Sequence, residues 1–147
     1  MDRGKAFAQS HFRVGIILGE RGLTEEAIAE YRRSIEVDPA YPQSHLNLGA
    51  LLAEQGRTGE AVGAFRRALA LDPGLAAARL DLAMALAASG AAEAALAQID
   101  TLLAGHPGDA AALKQRGIVL HGMGRDREAL AAFREAARAD TAGTEAA

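Results

Sequence analysis

Apolar and charged positions alternate along the chain with a fixed long period. Helix-favouring runs that are rich in charge, such as residues 30–37, stop at an Asp-Pro or His-Pro step, and a new apolar run begins within a few residues. The prolines that end these runs, Pro39, Pro73 and Pro107, are 34 residues apart. A period of this size predicts that one small structural unit is repeated along the chain.

Alignment on the prolines divides most of the chain into four blocks that also agree at other positions. The blocks are 8–41, 42–75, 76–109 and 110–143, with a short extension at 1–7 and a tail at 144–147. We therefore predict one repeat domain over residues 1–147. The coinciding positions are a central glycine (Gly22, Gly56, Gly90, Gly124), an alanine (Ala27, Ala61, Ala95, Ala129), a bulky residue (Tyr31, Phe65, Ile99, Phe133) and an early small residue (Gly15, Gly49, Ala83, Gly117).

Each block is predicted to be a helical hairpin. The central Gly follows the first helix, where a left-handed backbone ends it, and Thr24, Thr58 and Asp126 are placed to cap the second helix. The Pro ends the second helix because the residue before it is pushed away from helical angles. Small residues on both helices allow close approach, and the bulky residue fills the space beside them. One hairpin cannot bury its apolar face alone, whereas four stacked hairpins can.

The segment NLGALLAEQGRTGEAVGAFRRALALDP, residues 47–73, resembles the tetratricopeptide repeat. The resemblance implies an all-α fold, a right-handed α-solenoid of four helix-turn-helix hairpins. The sequence departs from the family pattern at several positions. The bulky aromatic residue usual near the start of each block is replaced by His11, His45, Arg79 and Leu113. The third block has Ile99 in place of the later aromatic residue. The fourth block has Thr141 in place of Pro and Arg116 at a position that is apolar in the other blocks. We therefore expect a looser fourth repeat.

The composition fits closely packed helices and excludes several other classes. Half of the residues are hydrophobic, but only two Tyr and four Phe are aromatic, which argues against an all-β protein. The net charge of −3 gives no electrostatic case for a nucleic-acid partner. The chain has no Cys, and no run of 18 apolar residues that would span a membrane. We expect a soluble, cytoplasmic protein.

Motifs that carry catalysis are not found in the sequence. There is no phosphate-binding Gly-Lys-Ser/Thr loop, and the HGMGRD segment lacks the third Gly of a dinucleotide site. His11 and His45 share a register, but neighbouring repeats would hold them about 10 Å apart, too far for one ion. His106 and His121 have no evident partner in the pattern. We therefore predict no enzymatic activity, no metal site and no cofactor.

The first helices are apolar around most of their circumference, and such helices are normally covered. In proteins of the family that this chain resembles, the first helices line a concave groove that holds an extended peptide or a helix. Carried over to this sequence, the resemblance implies a groove lined by Phe12, Arg13, Ile16, Leu46, Asn47, Ala50, Leu80, Asp81, Met84, Lys114, Gln115 and Ile118.

One specificity known in the family is not expected here. The subset that clamps a C-terminal carboxylate uses Lys, Asn and Arg side chains from successive first helices. Only Asn47 matches that set, whereas Phe12, Ile16, Ala77 and Asp81 occupy the other places. The Asp81 carboxylate would repel a ligand carboxylate, so binding of a chaperone tail is not predicted.

These observations predict a non-catalytic protein–protein interaction scaffold that binds a peptide or amphipathic helix of a partner protein. One alternative is a regulatory or substrate-docking segment of a larger enzyme such as a glycosyltransferase, although the initiator Met and the polar tail favour a complete small protein. Another is a self-assembling structural adaptor. Because Leu130 is the one large apolar residue expected at the exposed flank of the last helix, we predict a monomer with weak end-to-end association.

Overall fold

The computed structural model describes residues 2–145, and eight helices lie in this range without a strand. They form four antiparallel hairpins, one for each predicted block. The helices are α1 (Arg3–Glu20), α2 (Thr24–Val37), α3 (Pro42–Glu54), α4 (Thr58–Leu71), α5 (Ala76–Ala88), α6 (Ala92–Gly105), α7 (Ala110–Gly122) and α8 (Asp126–Glu145).

The chain divides into two compact units, residues 1–78 and 79–147. The first unit contains α1 to α4, and the second contains most of α5 together with α6, α7 and α8. The one-domain division over 1–147 therefore stays a prediction, whereas the four hairpins agree with the blocks.

A glycine in the left-handed region separates the two helices of every hairpin. Gly22, Gly56, Gly90 and Gly124 have φ between 73° and 86°. In the first hairpin, the Leu23 N–H donates to the Leu18 carbonyl at 2.9 Å across this turn. Backbone bonds of this kind satisfy carbonyls at the end of the first helix, as the sequence predicted.

The predicted caps of the second helices are wrong. The turn after the glycine is so short that Leu23 and Arg57 are the N-cap residues of α2 and α4, and neither makes a side-chain cap hydrogen bond. Thr24 and Thr58 already lie inside the helices, one residue too late to cap them. Asp126 is likewise the first residue of α8, and its carboxylate instead accepts a hydrogen bond from His121 Nδ1 at 2.7 Å.

The two helices of a hairpin approach closely where a glycine faces an aromatic ring. A Cβ atom added to Gly49 would lie 2.6 Å from the Phe65 ring, and one added to Gly15 would lie 2.7 Å from Tyr31. Ala61 is fully buried beside this contact. The close approach predicted from the small residues is therefore confirmed in these hairpins.

The other two hairpins vary this contact. The third carries Ala83 and Ile99 at the same positions, and both are buried. A branched aliphatic side chain lacks the ring edge that would meet the Ala83 Cβ. In the fourth hairpin, a Cβ on Gly117 would lie 2.8 Å from Phe133, but the Phe133 ring is 36 % exposed.

The two terminal helices are longer than the repeat register. Helix α1 begins at Arg3, capped by the Asp2 side chain, which accepts from the Gly4 N–H at 2.9 Å. Helix α8 continues to Glu145, because Thr141 replaces the Pro that ends the other second helices. Residues 3–7 of the predicted extension and residues 144 and 145 of the predicted tail are therefore helical, and Met1, Ala146 and Ala147 lie outside the described residues.

Candidate functional site

A pocket of about 320 Å³ brings together three of the predicted groove residues in the first unit. Ile16 of α1 and Asn47 and Ala50 of α3 line it, together with Gly19, Leu51 and Tyr31. The repeat places Ile16 and Ala50 at equivalent positions of two first helices, 34 residues apart. Residues at equivalent positions of the repeat therefore line the same pocket.

Two carboxylates at the same pocket were not predicted as site residues. Glu20 and Glu54 also line it, and they are the last residues of α1 and α3. Their separation of 34 residues was the available signal. Neither has an ion-pair partner among residues 2–145.

Tyr31 also lines this pocket and carries a hydroxyl. This side chain is 4 % exposed, and its Oη accepts a hydrogen bond from Asn47 Nδ2 at 3.3 Å. Burial raises the pKa of Tyr31, the bond from Asn47 opposes this shift, and the Glu20 charge adds to it. The hydroxyl therefore keeps its proton at neutral pH and remains a hydrogen-bond donor.

The remaining predicted residues of the first unit do not line this pocket. Phe12 is half-buried, with its ring centroid 5.8 Å from that of Tyr31 and 5.2 Å from that of Tyr41. Arg13 is exposed and Leu46 is half-buried. Phe12 thus takes part in an aromatic cluster within the first unit, in addition to any role at a surface.

In the second unit, two of the three large apolar side chains predicted for the groove are exposed. Met84 of α5 is 45 % exposed, and Ile118 of α7 is 47 % exposed. Lys114 is exposed, whereas Leu80 and Gln115 are half-buried. α5 and α7 therefore each retain an apolar side chain that the described residues leave largely uncovered.

Asp81 of α5 is the one acidic residue among the predicted groove residues. It is half-buried, and burial raises the pKa of its carboxyl group. No hydrogen-bond or ion-pair partner of Asp81 occurs within the described part of the chain. A partially desolvated carboxylate without a partner favours the approach of a cation.

A second cleft of the first unit lies between the second helices and was not predicted. It measures about 460 Å³, has an apolar floor that includes Leu48 and Leu52 of α3, and opens between α2 and α4. Its rim carries the ion pair between Arg32 and Glu60, with a nitrogen–oxygen distance of 3.3 Å. Charges of both signs therefore border an apolar floor.

Three of the four histidines, His11, His45 and His121, make side-chain hydrogen bonds. His11 Nδ1 donates to Glu30 Oε2 at 2.6 Å, and His45 Nε2 donates to the Pro39 carbonyl at 2.9 Å. The prediction that His121 has no partner is wrong, because it pairs with Asp126, which lies next to it across the last turn. Between Asp2 and Glu145, no three His, Asp or Glu side chains are grouped as metal ligands would be.

Family models identify the repeats. The model described as "Tetratricopeptide repeat" matches residues 12–76, and a second model of the same description matches residues 52–117. The chain belongs to the tetratricopeptide-repeat family. The overlapping matches cover most of the first predicted block, the whole of the second and third, and the beginning of the fourth.

Solved structures of the tetratricopeptide-repeat class share the fold. A crystal structure of MamA matches with a TM-score of 0.88 and 21 % identity, over 94 % of this chain and 81 % of MamA. The first TPR of Spaghetti (RPAP3), bound to the HSP90 peptide SRMEEVD, matches with a TM-score of 0.78 and 19 % identity, over 82 % of this chain and 95 % of that one. The predicted all-α, solenoid-class fold is confirmed.

A longer protein contains the same fold as one part. The O-GlcNAc transferase of Thermobaculum terrenum, in a K341M mutant, matches with a TM-score of 0.74 and 26 % identity. The match covers 82 % of this chain but 23 % of the transferase. No curated protein sequence matches the chain, and none of the helices between residues 2 and 145 combines the length and apolar character needed to cross a membrane.

Proposed function

We propose that this tetratricopeptide-repeat protein is a non-catalytic interaction scaffold, and that its first helices bind a peptide or an amphipathic helix of a partner protein. The observation that carries the proposal is the uncovered apolar surface of those helices. Met84 and Ile118 remain nearly half exposed although they lie in the middle of α5 and α7. Apolar anchors of this kind contribute most of the affinity of a peptide interface when a ligand buries them.

The pocket of the first unit gives the proposal a second support. Ile16, Asn47 and Ala50 were predicted to contact a ligand, and they line one pocket. A peptide is bound to the first TPR of Spaghetti, which has the same fold as this chain. Because the identity is only 19 %, the likeness supports the class of ligand and not its sequence.

The acidic peptide of that neighbour is a poor model for the ligand of this chain. The sequence SRMEEVD carries two Glu and one Asp. In this chain, the pocket is bordered by Glu20 and Glu54, and the predicted groove residues of the second unit include Asp81. Like charges would oppose binding, in agreement with the missing carboxylate clamp.

Peptide selection on the intact chain tests the proposed function. Peptides enriched from a random display library should bind the wild-type chain, with affinity measured by fluorescence polarisation. Met84→Ser and Ile118→Ser should each weaken binding about tenfold, which corresponds to ~1.4 kcal/mol. Leu71→Ser is the matched control, because Leu71 is 41 % exposed but lies on the second helix α4.

The proposal fails if no peptide is enriched, or if the Leu71 control weakens binding while the Met84 and Ile118 variants do not. The melting midpoints of all three variants should stay close to that of the wild type, because each side chain is substantially exposed. A large loss of stability in the Met84 or Ile118 variant would assign that residue to the core instead.

The match to the O-GlcNAc transferase favours a second candidate function. Because this fold occurs as 23 % of that enzyme, the chain would act as a regulatory or substrate-docking segment of a longer enzyme. The complete reading frame decides between the two candidates: a catalytic domain continuous with these repeats would support the second.

A further inference from the structure

Two helices that border the first-unit pocket end in an acidic residue, which is an unusual charge for a helix C-terminus. Glu20 and Glu54 end α1 and α3, where the negative end of the helix dipole makes a carboxylate unfavourable and a cation favourable. The equivalent residues of the third and fourth repeats are uncharged, Ala88 and Gly122. The fold itself therefore does not require an acid at this position, and the first two repeats both carry one.

The interior of the same pocket is apolar enough to hold the methylene groups of a long side chain. Ile16, Ala50 and Leu51 form apolar walls, and the volume is about 320 Å³. The long side chains of Lys and Arg place their methylene groups on apolar surface while their charged ends reach polar groups or water. Apolar walls below two carboxylates provide both environments.

Tyr31 adds a polar group to the residues that line the pocket. Its oxygen accepts from Asn47, but its own O–H has no acceptor in residues 2–145. Tyr31 is more than nine-tenths buried, lines the pocket and remains protonated. The O–H is therefore available as a donor, and the backbone carbonyl of a bound segment would accept from it.

We propose that this pocket receives a Lys or Arg side chain of the bound partner segment. The cationic end lies between the carboxylates of Glu20 and Glu54, the methylene groups contact Ile16, Ala50 and Leu51, and a backbone carbonyl accepts from Tyr31. The occupant is thus a basic, amphipathic segment. The inference rests on the proposed function and specifies its ligand.

A carboxylate of the second unit agrees with the proposed preference for a basic segment. Asp81 is half-buried, has no partner within the described chain, and has a pKa raised by burial. The attraction of an approaching cation would stabilise the charged carboxylate and so offset the cost of its burial. Of the basic residues predicted for the groove, neither Arg13 nor Lys114 lines the first-unit pocket, so the chain does not fill that pocket with one of these cations.

The test compares peptides selected on the wild-type chain with their binding to charge variants. The main variant is Glu20→Gln/Glu54→Gln. The matched control is Glu26→Gln/Glu135→Gln, which changes the net charge equally at two exposed residues that lie outside the pocket. Selected peptides should carry Lys or Arg beside apolar residues and bind the main variant about tenfold more weakly, with little change for the control.

Stability gives an independent reading of the same variants. Because both carboxylates end helices, the main variant should unfold at the same or a higher urea concentration than the wild type. An unfolded main variant would contradict the placement of these residues in an open pocket. Tyr31→Phe should also remain folded and weaken binding of the selected peptides, because it removes the hydroxyl that would donate to the ligand and that accepts from Asn47.

The outcomes separate the two proposals. If selected peptides lack basic residues, or bind the Glu20→Gln/Glu54→Gln chain as tightly as the wild type while still depending on Met84 and Ile118, the inference is overturned and the proposed function stands. If no peptide is selected at all, both are overturned. Equal weakening by the control variant would show long-range charge attraction instead of an occupied pocket.

Discussion

At the scale of single residues, Gly49 shows most directly how the hairpins depend on one missing atom. Its neighbour Phe65 is buried, and the ring occupies the space that a Cβ atom would need. Gly63, on the adjacent helix, is also helical but has no neighbouring atom within 4 Å of such a Cβ. Both glycines lie inside helices, where alanine would be more favourable than glycine. Gly49 is needed for the close contact with Phe65, whereas Gly63 makes no such contact.

We expect Gly49→Ala to destabilise the protein by about 1–3 kcal/mol, because the ring must move away from the new methyl group. Gly63→Ala should stabilise it by roughly 0.5–1 kcal/mol, since the helix gains propensity without a clash. Urea denaturation followed by circular dichroism measures both. Equal effects of the two substitutions would contradict the close contact between α3 and α4.

Glu30 is the acidic residue whose ionisation is most closely tied to the first hairpin. The hydrogen bond from His11 lowers the pKa of Glu30 below its ordinary value of 4.5, burial opposes the shift, and the Arg33 charge lowers it further. Because the folded-state pKa is lowered, the ionised group stabilises the fold above the unfolded-state value. This contribution is lost as the pH falls through the folded-state pKa.

Glu30→Gln should therefore unfold at a lower urea concentration than the wild type at pH 7, and the difference should shrink below the ordinary pKa of the group. Urea midpoints at neutral and acidic pH measure this change. Glu26→Gln is the control, because Glu26 is exposed on the same helix and has no ion-pair partner within the described residues. A constant difference at all pH values would exclude the proposed role of the carboxylate.

At the scale of the helices, capping distinguishes what the pattern suggested from what the backbone does. Asp109 precedes α7, and its side chain accepts from the Ala112 N–H at 2.9 Å. The sequence pattern predicts the same role for Thr24 in α2, but the turn after Gly22 ends one residue earlier and places Thr24 inside the helix. A sequence pattern that is correct to one residue is therefore insufficient to assign a cap.

Asp109→Ala should cost about 1 kcal/mol, the usual loss on removing a side-chain cap. Thr24→Ala should change the free energy of unfolding by less than about 0.5 kcal/mol, as expected for a surface substitution. Both are measured by equilibrium denaturation of the intact chain. A loss at Thr24 as large as that at Asp109 would restore the original capping prediction.

The four hairpins could be predicted from the sequence because the repeat samples the same pattern four times. Gly22 and its three equivalents mark the turns, and the Pro residues mark the ends of three second helices. The pattern was less informative at the ends of the chain. There, α1 begins before the first block and α8 continues beyond Thr141, because residues outside the repeat also favour a helix.

At the scale of the whole molecule, the exposed apolar surface of the last hairpin is larger than the sequence indicated. Leu130 is 53 % exposed, as predicted, but Phe133 is also partly exposed, and both line a cleft of about 280 Å³ with Ala129 and His121. Sequence position alone placed Phe133 with the buried Phe65. The position of the hairpin in the chain changed the environment of an equivalent residue.

We expect the chain to be monomeric at micromolar concentration and to associate weakly through α8 when it is concentrated. An obligate interface typically buries about 2,000 Å² or more, and two partly exposed side chains provide far less area than that. Sedimentation over a concentration series measures the association, which Leu130→Glu should abolish. Leu71→Glu on α4 is the control and should leave the association unchanged. A dimer that persists at low micromolar concentration in the Leu130→Glu variant would contradict the prediction and make self-assembly the primary function.

The sequence by itself determined the repeat, the helices, the family and the positions that first helices share. These features depend on local preferences and on a period, both of which are present along the chain. The tertiary structure alone decided which of those positions meet. It brought Glu20, Glu54 and Tyr31 to one pocket, gave His121 a partner and left Phe133 partly open, because contact and burial depend on distances across space. A periodic sequence places equivalent residues at equivalent positions of each hairpin, but the charge, burial and contacts of those residues differ from one repeat to the next.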